Sequence, residues 1–76
     1  MRAMGIQIEI TSHYRLPARP ERTREALKVF FPAQAEILLT QLQAGRPARV
    51  ELADPEAAAH LVGALQAQGF LARLAG

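Results

Sequence analysis

The sequence predicts an α/β (α+β) two-layer sandwich in the order β-α-α-β-α-β, a three-stranded, mainly antiparallel sheet with three helices on one face. Three observations carry this expectation. Residues 48–74 read as a complete strand–helix–strand unit. Val50 and Leu52 alternate with Arg49 and Glu51, Asp54-Pro55-Glu56 opens a helix, Gly69 closes it, and Phe70, Ala72 and Leu74 alternate with Leu71 and Arg73. Residues 5–10, GIQIEI, alternate strictly, with Ile6, Ile8 and Ile10 on one face and Gln7 and Glu9 on the other. Between these two regions, Pro32 divides a helical pattern into two helices, because the residue before a proline is pushed out of the helical region.

The first strand covers residues 5–10, and Thr11 to Arg19, with Ser12, His13 and Pro17, suits a loop. Pro20 sits well at the first position of a helix, where its missing N–H is not needed, and this helix runs through Glu21 to about Phe31. Thr23, Leu27 and Phe30 or Phe31 line its inner side. The second helix runs roughly from Pro32 to Ala44, with Ala35, Leu38, Leu39 and Leu42 at i, i+3, i+4 and i+7, and Gly45 stops it. Ala48 to Leu52 is the second strand. Asp54 caps the third helix, Pro55 to Gln68, and Phe70 to Leu74 is the last strand. Each strand offers one apolar face, which leaves Gln7, Glu9, Arg49, Glu51 and Arg73 in water as a mixed-charge ladder on an open sheet face.

With 76 residues and no linker or repeat, residues 1–76 form one small domain. A chain of this size buries only about 60% of its unfolded surface, so a deep cleft is not expected. The absence of cysteine removes disulfides, thiolate metal sites and cysteine nucleophiles together. The first ten residues, MRAMGIQIEI, lack the apolar run of a signal peptide, and no long apolar stretch occurs, so a cytoplasmic, non-membrane protein is expected. Met4 is an alternative start to Met1. The net charge of +2 is small, but residues 15–28 hold Arg15, Arg19, Arg22, Arg24 and Lys28 against Glu21 and Glu25.

The element order and the segment DPEAAAHLVGALQAQGFLARL resemble the C-terminal domain of the bacterial ribosomal stalk protein, which captures translational GTPases. They also resemble that domain's structural relative, the Clp protease adaptor that binds N-degrons. The resemblance implies this fold, a habit of binding proteins through the first two helices, and a link to translation or proteolysis machinery. Its binding motifs do not carry over. The stalk family joins its first two helices by a glycine-rich loop and lines those helices with lysines for docking on a GTPase, where this chain has FFPAQAE at the junction, with Pro32 and Glu36. The adaptor family grips its substrate with an acidic Asn-Asp segment, where this chain has Ser12-His13-Tyr14-Arg15.

No catalytic constellation is legible. Ser12 and His13 are adjacent and cannot easily face one reaction centre, Asp54 is explained as a cap, and His13 and His60 lack companions at metal-ligand spacing. No glycine run is suited to phosphate, and no cofactor is implied. The expectation is therefore a non-enzymatic, adaptor-like protein-interaction domain. Its partner-binding candidates are Tyr14, Arg15, Arg22, Arg24, Lys28, Phe31 and Glu36, with Phe31 as an aromatic anchor because neighbouring helical residues diverge by about 100°. An alternative is a basic accessory factor touching RNA or DNA through Arg15, Arg19, Arg22 and Arg24. A homodimer would use an edge strand or the small-residue row Ala59, Gly63 and Ala67.

Overall fold

The alternation of isoleucines near the N-terminus becomes the middle strand of the sheet. The computed structural model describes residues 5–75, so the alternative start at Met4 lies outside the described residues. The elements are β1 (Ile6–His13), α1 (Pro20–Phe30), α2 (Ala35–Gln43), β2 (Ala48–Leu52), α3 (Pro55–Ala67) and β3 (Phe70–Ala75). The sheet order is β2-β1-β3, and β1 is antiparallel to both neighbours. Ile8 faces Val50 on one side and Leu74 on the other, and Ile10 faces Ala48 and Ala72. β2 and β3 therefore run parallel to each other without pairing. The unit read as strand–helix–strand is split by β1.

Beneath this sheet, Ile8, Ile10, Leu27, Leu39 and Leu65 are fully buried and knit the strands to all three helices. Small residues close the remaining space, since Ala48 and Ala58 are also fully buried. Leu74, on the same phase as the buried Phe70 and Ala72, is 47% exposed near the C-terminal end of β3.

Two local departures from the sequence expectation have clear causes. The first strand does not end at Ile10. The pairing steps from Ile10 opposite Ala72 to Ser12 opposite Leu71, so Thr11 is an extra residue and the strand continues to His13. A bulge of this kind reverses the in–out phase. Ser12 is turned outward, and His13 is turned into the buried layer. The second departure is at Pro32. Gln34 N–H donates to the Phe31 carbonyl at 3.0 Å, which places Pro32 at the second position of a tight turn, and α2 starts only at Ala35.

The helix ends follow their sequence signals. Pro20 is the first residue of α1, and the Asp54 carboxylate accepts from Glu56 N–H at 3.0 Å at the start of α3. At the end of α2, Arg46 N–H reaches the Gln41 carbonyl at 2.9 Å and Gly45 N–H the Leu42 carbonyl at 3.1 Å, a Schellman closure.

The open face corrects the expectation of a solvated ladder at one rung. Glu9 is only 6% exposed, because Arg49 and Arg73, its register partners on either side, both lie over it. Arg73 donates to Oε1 through Nη2 at 2.7 Å and Nε at 2.9 Å, while Arg49 donates to Oε2 at 3.1 Å. The Arg73 bonds first and the Arg49 bond second hold the Glu9 pKa below its ordinary 4.5, against a smaller opposing effect of burial.

Candidate functional site at the β1–α1 corner

The bulge at Thr11 delivers His13 to a place where both of its ring nitrogens are engaged. Nε2 lies 3.0 Å from the Gln68 carbonyl oxygen, which only accepts, so Nε2 carries the proton. Nδ1 then accepts from the Thr23 hydroxyl at 2.7 Å. One imidazole thus ties β1 to α1 and to the end of α3. Phe70 packs on it at a ring-centroid distance of 4.2 Å. Burial lowers the His13 pKa below 6.5, the Gln68 carbonyl opposes this, and the nearby Arg15 charge adds a smaller push down.

The next two residues build the wall of a cleft. Tyr14 N–H donates to the Gly69 carbonyl at 3.1 Å, and the exposed Tyr14 ring lies beside His13 at a centroid distance of 4.9 Å. The Arg15 guanidinium carbon sits 4.7 Å from the Tyr14 ring centroid, a cation–π arrangement that holds the cation at the rim. Opposite them, α1 presents Arg22, Glu25, Ala26 and Val29 at i, i+3, i+4 and i+7, which is one stripe of the helix. The space between is an open cleft of about 250 Å³ with His13 and Gln68 also among its lining residues. Among the described residues, neither Arg15 nor Arg22 has an acidic group within 4.0 Å.

The structure thus gathers three of the sequence candidates, Tyr14, Arg15 and Arg22, and disperses the others. Arg24 Nε lies 2.7 Å from Glu36 Oε2, an ion pair between α1 and α2 whose N–H is not aimed at that oxygen in hydrogen-bond geometry. Lys28 is exposed on α1 and lines no part of the cleft. Phe31, the aromatic anchor expected from the sequence, stands at the α1–α2 junction and lines no part of the cleft. It has left the helix with φ −137°, so the 100° divergence does not apply, and it packs half-buried against the core. Phe30 is half-buried beside it, edge-on to Phe70. The exposed apolar residues of the first two helices are Val29, at 76%, and Ile37, at 65%. Ala59, Gly63 and Ala67 are all exposed on α3.

His13, Glu25, Val29 and Gln68 escaped the sequence reading. One signal was present: Thr23 lies on the buried stripe of α1, and a buried hydroxyl requires a partner. A larger hollow of about 420 Å³, lined by Ser12, Leu16, Pro17, Leu42 and Gln43, holds no ionisable group. Ser12 and His13 line different cavities, and the two His13 ring nitrogens are engaged by Thr23 and Gln68. Among the described residues there is no group of three His, Cys, Asp or Glu side chains able to hold a metal, and no helix is long and apolar enough to cross a membrane. In the comparisons with known proteins, no family model, no curated protein and no solved structure matches this chain.

Proposed function

We propose that this chain is a non-enzymatic protein-interaction domain of the cytoplasm that binds an acidic partner through the cleft between the β1–α1 loop and α1. The observation that carries the reading is the convergence of Tyr14, Arg15, Arg22 and Val29 on one open cleft. Aromatic and arginine side chains supply most of the energy at protein interfaces, and cations without internal partners steer acidic ligands. Ile37 on α2 extends the exposed apolar surface of the first two helices. The resemblance to the stalk domain and the protease adaptor supports a binding role of this type, with a link to translation or proteolysis. A nucleic-acid role has less support. Arg19 is paired with Glu21 and Arg24 with Glu36, each at 2.7 Å, which removes half of the arginines that such a role would use.

The test is affinity capture from the source cell's lysate, comparing wild type with an Arg15→Glu, Arg22→Glu variant, with and without nuclease. A protein that is retained by wild type, survives nuclease and is lost with the variant supports the reading. Material that disappears on nuclease treatment, or that both forms retain equally, refutes it.

A further inference from the structure

Resting on the interaction-domain reading, we propose that the cleft recognises a short extended segment of the partner, with a carboxylate side chain held by Arg15 and Arg22 and an apolar side chain laid over Ala26 and Val29. The cleft is polar at one end and apolar at the other. Its cations are Arg22, in the first turn of α1, and Arg15, held at the rim by Tyr14, whereas Val29 stands two turns further along the helix. At 1.5 Å per residue, Arg22 and Val29 are separated by about 10 Å along the helix axis. An extended peptide in the polyproline II conformation rises about 3.1 Å per residue with about three residues per turn, so an acidic and an apolar side chain three positions apart share one face about 9 Å apart.

Glu25 sharpens this specificity. It lies between Arg22 and Val29 on the same stripe, where a second acid of the ligand would meet a like charge. The site therefore selects one carboxylate followed by neutral residues over a run of acids. A nucleic-acid backbone, with its unbroken row of phosphates, meets the same obstacle. At about 250 Å³ the cleft is smaller than the roughly 300–1,000 Å³ typical of small-molecule pockets, which suits two or three side chains rather than a cofactor.

The experiment is amide chemical-shift mapping on the full isotope-labelled chain. The probes are an end-blocked peptide carrying Glu and Leu three positions apart, its Gln counterpart, a peptide with acids throughout, and a single-stranded RNA. The expected result is shifts at Arg15, Arg22, Val29 and Gln68, with binding weakened about tenfold or more by the Gln peptide and by Arg22→Gln, the loss that follows removal of one charge-assisted pair. Arg22 is exposed, so Arg22→Gln retains the fold, which its unchanged spectrum elsewhere will verify. Equal binding of the Glu and Gln peptides, tighter binding of the all-acid peptide, or no shift with any peptide overturns the proposal. Shifts confined to Ile37 and Thr40 overturn the cleft while leaving an interaction domain. RNA binding without peptide binding overturns both.

Discussion

The ring of Tyr14 fills the space above Gly69 that a side chain at position 69 would need. A Cβ built on Gly69 collides with Cδ1 and Cε1 of that ring, and Gly69 has φ +92°. The turn into β3, the first wall of the cleft and the seat of Arg15 thus depend on one missing methyl group.

Gly69→Ala is therefore expected to destabilise the fold by more than about 1 kcal/mol, through both the positive φ and the displaced ring. Urea denaturation measures the loss. Adding Tyr14→Ala recovers only the part due to the collision, so the double-mutant cycle separates the ring from the backbone.

Thr23→Val removes the one donor to Nδ1 of His13 and leaves that nitrogen buried without a partner. The expected loss is about 1–3 kcal/mol. Thr23→Ser, which restores a hydroxyl, is expected to lose less, and the two urea midpoints decide the matter.

Stability is expected to fall with pH through two contributions that begin to be lost at different pH values. The folded-state pKa of His13 is lowered by burial, so the unfolded chain binds the proton more readily. The contribution of His13 is complete above 6.5 and is lost as pH falls from there through its folded value. Glu9 is likewise lowered, by Arg73 and then Arg49, so its contribution is complete above 4.5 and is lost below that. Urea midpoints across this range are expected to show a first decline that His13→Gln abolishes and a second that Glu9→Gln abolishes.

Gly63→Ala is expected to stabilise the protein by about 0.5–1 kcal/mol, because Gly63 is exposed in the interior of α3 and an added Cβ meets nothing within 4 Å. Gly63→Leu tests the other use of the Ala59, Gly63 and Ala67 row. If that row is ordinary solvated surface, the sedimentation of the Leu variant follows that of wild type at every concentration.

Much of the architecture was legible because its signals are local. Pro20, Asp54, Gly45 and Gly69 mark helix ends through their own backbone chemistry, and the Ile6, Ile8 and Ile10 alternation needs no knowledge of partners. What escaped depends on distant pairing. The bulge at Thr11 exists only relative to Leu71 and Ala72, so residue types at 11–13 do not reveal that His13 turns inward. Pro32 suits a helix start and a tight turn equally, and the hydrogen bond from Gln34 to Phe31 decided between them. At the cleft, Tyr14, Arg15 and Arg22 were visible as unusual side chains. Val29 is 76% exposed, as follows from its place two residues past Leu27 and about 200° round the helix from the buried stripe.

The central position of β1 also shapes how the chain reaches this state. Gln7 pairs with Glu51 and with Ala75, so the middle of the sheet waits for partners far along the chain. Such distant closures make the transition state entropically demanding and folding slower than in helical bundles of equal size. Until β3 arrives, Ile8 and Ile10 lack one of their two neighbours and β1 presents a raw edge. Any form of the chain in which β3 has come away from the sheet turns the central strand into an open edge available to another molecule.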